Sequence, residues 1–289
     1  HAEHKASWRS EKTAGQWLSI LERHAFNMIG KTPVCDIDAG SIRDLLAGIW
    51  LVKPETARKV RQRIGVVLDY AHAKGWRTTE APMKAVNRSL PKQSAQTRHF
   101  EAMPWLEVPD FVRNMENRLT AGEPVRLAIE FLILTAARSG EVRGATWSEV
   151  DLENGIWTIP GNRMKANRPH RVPLDNRAID ILKRMHEMRR TDEVGDFVFE
   201  GERLGRPMSD MTLSMPLRRA GIKATIHGFR SAFRDWCAEA ASAPREIAEA
   251  ALAHVIPNKT EAAYARTDHL DKRRDLMKLW GGFVKEAAG

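Results

Sequence analysis

The sequence predicts a mainly helical protein of two domains, with a small β-hairpin or sheet confined to the second domain. The chain has 289 residues, which at roughly 100–200 residues per domain corresponds to two domains. Apolar residues recur at helical spacing along most of the chain, and a polar, proline-bearing stretch over residues 77–104 interrupts them. We therefore predict a helical domain over residues 1–92, a linker over 93–104 and an α+β domain over 105–289.

Two helices are predicted in the first domain, over Thr13–Met28 and from Pro54 to about Lys74. Tyr70 lies close to the apolar stripe of the second helix and is predicted to belong to the core. The rest of this helix is strongly basic, which is typical either of a surface that faces phosphates or of an ordinary solvated face. The apolar stripe consists of Val60, Ile64, Val67, Leu68 and Ala71, and the basic face of Arg58, Lys59, Arg61 and Arg63.

The second domain is predicted to be mixed. Two short strands flank a loop at Pro160–His170 and suggest a hairpin, and Asp175 is the expected cap of the helix that follows. The last helix carries a cluster of large apolar residues and could pack on its own domain or on a neighbouring protomer. The predicted strands are Ile156–Ile159, Arg171–Leu174 and Phe197–Phe199. The predicted helices are Pro124–Ala137, Asp175–Arg189, His227–Ala240, Pro244–Ala253, Asn258–Arg266 and Leu270–Lys285.

Composition narrows the function classes. The net charge of +9 and the pI of about 9.8 point towards a polyanionic partner, either nucleic acid or an anionic membrane surface, and on charge alone a merely basic soluble protein is an equal alternative. The two cysteines, Cys35 and Cys237, indicate a reducing compartment without disulfides. No apolar run approaches the ~18 residues that a membrane span needs. The sequence contains no phosphate-loop, CxxC or HExxH motif, so no cofactor and no metal site are expected.

Several cationic and imidazole groups remain as candidates for chemistry. Arg138 follows a buried helix and could be oriented by Glu141, although a structural ion pair would leave the same pattern. Lys165 lies near the hairpin tip, where it is either a solvated turn residue or a group that reaches into a cleft. His227 and Arg230 share one helix face at i, i+3 spacing, which suits an anionic phosphate.

Two further candidates lie nearer the C-terminus. His254 follows Leu252 and Ala253, and Tyr264 lies ten residues beyond it. The chain has two tyrosines, and Tyr264 has no strongly apolar neighbour in sequence to bury it. A reactive role is therefore open to Tyr264.

The order Arg, Lys, His-x-x-Arg, His, Tyr resembles the catalytic domain of the tyrosine recombinases, or phage-type integrases. The surrounding segments AARSGE, HGFR and LAH resemble the family, and MKANRPHRVPL and HGFRSAFRDW resemble integrases of prophages and genomic islands most. The match runs from Arg138 to Tyr264. The resemblance implies a two-domain clamp on duplex DNA, whose helical first part binds the core site. Many such integrases begin with a small arm-site domain. The sequence shows no such domain, which agrees with the truncated N-terminus that we expect because the chain starts at His1 rather than Met.

The resemblance implies a site-specific recombinase that integrates or excises a mobile element through a 3′-phosphotyrosyl intermediate. Tyr264 would be the nucleophile, Arg138 and Arg230 the phosphate clamp, and Lys165 the general acid. His227 would accept or share the tyrosine proton, and His254 would donate a hydrogen bond to the phosphate. The candidate DNA contacts outside this set are Arg58, Lys59, Arg61, Arg63, Lys92, Arg98 and Arg168.

The resemblance also implies partners and leaves alternatives. The expected partners are double-stranded DNA attachment sites, three further protomers in a homotetramer on paired sites, and accessory DNA-bending or excision factors, in a bacterial cytoplasm close to the nucleoid. One alternative is a type IB topoisomerase, which would share the chemistry without exchanging strands between duplexes. The other is a DNA-binding regulator that keeps the fold without activity.

Overall fold

The computed structural model describes Glu3 and residues 11–93, 101–189, 196–254 and 267–286. Its chain forms two compact units, His1–Thr97 and Arg98–Gly289. Helices predominate, and a three-stranded antiparallel sheet lies in the second unit, so the predicted fold class is confirmed. Within these described ranges, no helix combines the length and apolarity required to cross a bilayer.

The first unit is helical in its described part. Asp38 caps α3, because its side chain accepts a hydrogen bond from the Ser41 backbone N–H at 2.8 Å. The core is formed where the apolar faces of α1, α3, α4 and α5 meet around Ile42, Leu46, Val60 and Leu68. The helices are α1 (Glu11–His24), α2 (Phe26–Ile29), α3 (Ala39–Trp50), α4 (Pro54–Ala73) and α5 (Met83–Ser89).

Three expectations for this unit were wrong. The helix predicted over Thr13–Met28 is two helices, because the backbone of Ala25 leaves helical geometry with φ −121°. The polar stretch after residue 77 contains the helix α5. Val86, the one buried residue of this helix, packs in the core. On α4, Val67 is exposed, and Tyr70 is only half-buried, with its ring against Trp76 and under the Lys74 ammonium.

The second unit surrounds a larger core. The buried helix α8 lies at its centre, and Phe131 on α8 contacts the rings of Trp157 and Phe199. Asp175 caps α10 as predicted, accepting from the backbone N–H groups of Ala178 and Arg177 at 3.0 and 3.2 Å. The helices are α6 (Val108–Arg113), α7 (Met115–Arg118), α8 (Glu123–Thr135), α9 (Ser139–Arg143), α10 (Asn176–Glu187), α11 (Ser214–Arg219), α12 (Gly228–Glu239), α13 (Arg245–Ala251) and α14 (Leu270–Glu286).

The sheet has the order β1 (Val150–Asp151), β2 (Ile156–Ile159) and β3 (His170–Pro173), and β2 and β3 form the predicted hairpin. The strand predicted at Phe197–Phe199 was wrong. In the described residues this segment makes one isolated bridge, between Phe197 and Thr146, while Val198 and Phe199 are buried in the core. The segment is apolar because it is buried, and not because it extends the sheet.

The C-terminal helix α14 packs on its own unit. Leu276, Met277 and Trp280 are buried, and the Trp280 indole N–H donates to the Ile133 carbonyl of α8 at 2.8 Å. The Trp280 ring also contacts Phe233 and Trp236 of α12. Of the cluster named from the sequence, Leu279 points outwards and is exposed.

Candidate active site

Arg138 lies at the N-cap position of α9, directly after the buried helix α8. Its Nη1 atom donates to Glu141 Oε1 at 2.7 Å, and its backbone N–H donates to Glu141 Oε2 at 2.8 Å. Its Nη2 atom lies 3.5 and 3.3 Å from the carbonyl oxygens of Leu252 and Ala253. The buried Glu141 carboxylate therefore fixes one edge of the guanidinium, while the side chain stays 27% exposed.

Arg230, on the first turn of α12, is the more buried of the two arginines. Its Nη2 atom donates to the Leu252 carbonyl at 2.6 Å, and its Nη1 atom donates to the Ala136 carbonyl. Burial, followed by the positive charge of Arg138, lowers the pKa of Arg230 to about 10. Arg230 still carries its charge at neutral pH. Two positively charged guanidinium groups therefore lie next to each other, since Arg138 and Arg230 both contact the Leu252 carbonyl.

Left-handed backbone at two alanines directs these carbonyl groups. Ala136 ends α8 with φ 48°, and Ala253 follows α13 with φ 48°. Such a conformation costs an alanine roughly 1–2 kcal/mol. In return, the Ala136 carbonyl meets Arg230 and the Ala253 carbonyl meets Arg138. The strain is located where the arginines are held, which is typical of a functional site.

His254 belongs to a chain of polar contacts that the sequence did not reveal. Its Nδ1 atom lies 2.6 Å from Glu249 Oε2, and Arg234 donates to Glu249 Oε1 at 2.8 Å. Burial raises the pKa of the Glu249 carboxyl, but the hydrogen bonds from Arg234 and His254 outweigh burial and leave this pKa below its usual value. An ionised Glu249 therefore holds the proton on Nδ1 and turns Nε2 towards Arg230, 3.4 Å away.

His227 precedes α12 and is open to solvent. Desolvation lowers the pKa of its imidazole, and the positive charges of Arg230, Arg138 and His254 act in the same direction. The neighbouring Gly228 is required, because a Cβ atom there would overlap the Glu101 carbonyl. Glu101 is itself held by the Thr225 backbone N–H at 2.9 Å, so the start of α12 packs closely against this segment.

Lys165 lies in the loop between β2 and β3 and is exposed. The loop is anchored just before it by Arg163, which donates to the Glu149 carboxylate and to the Glu141 carbonyl. Glu141 thus contacts Arg138 through its carboxylate and the Lys165 loop through its backbone. Arg163 and Glu249 are the supporting residues that sequence reasoning missed, since neither stands in a motif of its own.

The structure brings Arg138 and Arg230 together at the Leu252 carbonyl, with His254 beside Arg230. His227 precedes the helix that carries Arg230, within electrostatic reach of both arginines, and Lys165 lies on the adjoining hairpin. Tyr264, the helix predicted at Asn258–Arg266, and Arg98 lie outside the described residues. Over the ranges that the structure covers, no group of three His, Cys, Asp or Glu side chains could hold a metal ion. The cluster of two guanidinium and two imidazole groups can bind one tetrahedral anion such as a phosphodiester.

The other candidate DNA contacts differ in how far their own unit engages them. Lys59 and Lys92 of the first unit and Arg168 of the second are exposed, whereas Arg58 pairs with Glu55. Arg61 donates to Asn87 at 2.5 Å. Arg63 donates to two backbone carbonyls of α1 at 2.7 Å and lies over the Trp17 ring. The basic face of α4 is therefore partly used for packing within its own unit.

Several solved structures that are similar in fold are DNA-bound integrases. A lambda integrase dimer bound to a COC′ core site has a TM-score of 0.63 at 19% identity, covering 90% of each chain. The Tn1549 transposon integrase in complex with circular intermediate DNA has a TM-score of 0.62 at 16% identity, covering 95% of each chain. A lambda integrase tetramer bound to a Holliday junction has a TM-score of 0.64 at 20% identity, covering 90% of this chain and 72% of that one. The fold is that of an integrase.

Sequence comparison then gives the family. Residues 1–87 match the phage integrase central domain, and residues 103–270 match the phage integrase family, to which the chain belongs. Prophage integrase IntZ of Escherichia coli (strain K12) is 32% identical over 93% of this chain, and the integrase of Enterobacteria phage P4 is 28% identical over 98%. The chain spans 65% of the length of IntZ and 67% of that of the P4 integrase. The resemblance to tyrosine recombinases is confirmed.

Proposed function

We propose that this chain is a site-specific DNA recombinase that cuts and rejoins duplex DNA through a 3′-phosphotyrosyl intermediate. One observation carries the proposal: Arg138 and Arg230, which are 92 positions apart in sequence, meet at the Leu252 carbonyl with His254 beside them. Glu141 offsets one of the two guanidinium charges, and the remaining positive charge, held largely out of water, is costly without a further anion. A scissile phosphodiester supplies that anion.

The arginines bind the two non-bridging oxygens of the phosphodiester. Negative charge on these oxygens rises as a fifth bond to phosphorus forms, so the clamp stabilises the transition state more than the ground state. Both guanidinium groups are held by fixed carbonyl and carboxylate partners, and they need little reorganisation during the reaction.

In the first step the Tyr264 phenol oxygen attacks phosphorus, and the bond from phosphorus to the deoxyribose 5′-oxygen breaks. The tyrosine proton passes to His227, whose lowered pKa keeps it neutral and able to accept the proton at neutral pH. Lys165 gives a proton to the departing 5′-oxygen. The free energy of the phosphodiester bond is kept in the phosphotyrosyl ester, so rejoining needs no nucleoside triphosphate.

His254 is held by Glu249, which accepts a hydrogen bond from Nδ1. With the ring fixed in this way, Nε2 lies beside Arg230, where it donates a hydrogen bond to a phosphate oxygen. Arg234 holds Glu249 from the other side, so the ring orientation is set before DNA binds.

Strand exchange follows when a 5′-hydroxyl of a second duplex attacks the phosphotyrosine and releases Tyr264. We propose that four protomers on two attachment sites carry this out, with lambda integrase, crystallised as a tetramer on a Holliday junction, as the precedent. The basic residues Lys59, Lys92, Arg98 and Arg168 are proposed to meet DNA phosphates, and accessory DNA-bending factors to assist on long sites. The proposed setting is a bacterial nucleoid.

The decisive experiment uses a nicked suicide DNA that carries the attachment site. Wild type should form a covalent band on a denaturing gel, and peptide mapping should place the DNA on Tyr264. Tyr264→Phe should bind DNA like wild type but form no adduct, while Tyr70→Phe should keep full activity. An adduct on another residue, or one that persists in Tyr264→Phe, would refute the proposal.

The same preparation separates recombination from DNA relaxation. A recombinase should join two duplexes that each carry a site, whereas a topoisomerase should only relax a supercoiled plasmid. The absence of any covalent band with wild type would favour a silent DNA-binding regulator.

A further inference from the structure

A buried arginine lies against the strand that leaves the hairpin loop. Arg273 on α14 is 1% exposed. Its Nε donates to the Asp268 carbonyl at 2.6 Å, its Nη2 donates to the Asp268 carboxylate at 2.9 Å, and its Nη1 donates to the Arg171 carbonyl of β3. All three guanidinium nitrogens are thus engaged within the protein, so Arg273 joins the start of α14 to the hairpin and cannot serve as a DNA contact.

Asp268 is also held from its outer side. Arg171 meets it through two parallel hydrogen bonds, Nε to Oδ2 at 2.9 Å and Nη2 to Oδ1 at 2.8 Å. Desolvation raises the pKa of the Asp268 carboxyl, but the hydrogen bond from Arg171 and the positive charges of Arg273 and Arg171 outweigh it and leave this pKa below its usual value. The carboxylate is therefore charged throughout the neutral range, and this two-armed contact defines both its position and its orientation.

The contact between Arg171 and Asp268 lies close in sequence to two of the proposed catalytic residues. Asp268 is four residues beyond Tyr264, and Arg171 is six residues beyond Lys165, on the strand that leaves the hairpin loop. The helix α14 behind it is fixed in the core by Trp280. The clasp, meaning Arg171, Asp268 and Arg273, therefore joins the chain just after the nucleophile to the hairpin that carries the general acid.

We propose that this clasp is a positioning device for Tyr264: it fixes the chain four residues after the tyrosine, so that loss of the clasp misplaces the phenol oxygen relative to the phosphate. The proposal rests on the proposed recombinase function. Displacements of about 1 Å in a reacting group can reduce rates roughly 100-fold. Loss of the outer arm should therefore slow the attack step without weakening DNA binding.

The test is Arg171→Ala, a change at a half-exposed side chain that should leave the fold intact. Its matched control is Arg184→Ala, which breaks a similar two-armed pair with Glu123 and also a single bond to Glu187. The Arg184–Glu123 pair is 49% and 41% exposed, against 46% and 43% for Arg171–Asp268. Single-turnover formation of the covalent adduct should fall roughly 10–100-fold in Arg171→Ala and remain near wild type in Arg184→Ala. The dissociation constant for DNA should change less than about twofold in both variants.

Two further measurements identify which step of the reaction the clasp affects. A substrate with sulfur at the bridging 5′ position needs no general acid, so it should not rescue Arg171→Ala; full rescue would mean that the clasp serves Lys165 and would overturn the proposal. Arg171→Lys keeps the positive charge but cannot make the two parallel hydrogen bonds to Asp268, so adduct formation should remain slow. If lysine restores the wild-type rate, Arg171 acts as a DNA cation and not as a clasp. Failure of wild type to form any adduct would instead refute the proposed function itself.

Discussion

Glu141→Gln tests how Arg138 is held. The substitution keeps the side-chain volume and one oxygen acceptor but removes the negative charge that faces Arg138. Two hydrogen bonds from Arg138 end on this carboxylate, at 2.7 and 2.8 Å. A hydrogen bond to a charged group contributes about 1.5–3 kcal/mol. Because the Arg138 side chain is 27% exposed, water replaces part of the loss, and we expect about 1.5–2 kcal/mol of destabilisation.

This loss should be visible in the melting temperature. For a domain of about 150–250 residues, each kcal/mol corresponds to roughly 2–4 °C, so Tm should fall by about 3–8 °C. Covalent cleavage should fall roughly 100-fold, because the guanidinium is no longer fixed where the phosphate oxygen must lie. The DNA dissociation constant should stay level or improve, since removal of a negative charge makes the cluster more attractive to phosphate.

The control is Glu153→Gln, an identical charge change at an exposed position. It should leave Tm and cleavage at wild-type values. If Glu141→Gln also melts and cleaves like wild type, the carbonyl groups of Leu252 and Ala253 suffice to hold Arg138, and the role assigned to Glu141 is wrong.

Three further predictions concern the reaction and the partner. Lys165→Ala should reduce cleavage roughly 10²–10⁴-fold, the usual size of a general-acid contribution, and a 5′-bridging sulfur substrate should restore most of it; no rescue would point to DNA positioning instead. Because the pKa of His227 lies below its ordinary value of 6.5, the neutral base persists down to that pH and is lost only as the pH falls through the lowered pKa. The acid limb of the cleavage profile should therefore lie below pH 6.5 and be absent in His227→Gln. Binding through roughly 6–10 phosphates should give a slope of log K against log salt of about −5 to −9, and a slope near zero would contradict a DNA clamp.

Local patterns in the sequence accounted for most of the secondary structure. Helical spacing placed α4, α8, α10, α12 and α14, because an apolar stripe repeats every three to four residues whatever the helix packs against. The same spacing could not separate α1 from α2, since the break depends on the backbone of Ala25 alone. A short apolar run suggested a strand at Phe197–Phe199, because such a run is equally compatible with a strand and with a buried loop.

The order of the motif residues by itself determined the family and the candidate reaction. What only the tertiary structure decided is how these residues are held. Arg230 is bound by the Ala136 and Leu252 carbonyl groups, 94 and 22 residues away, and a backbone carbonyl leaves no trace in the side-chain sequence. Arg171 and Asp268 are 97 residues apart, and each alone resembles any surface charge. Contacts between residues so far apart in sequence arise from how the chain folds back on itself, so no local repeat or spacing can predict them.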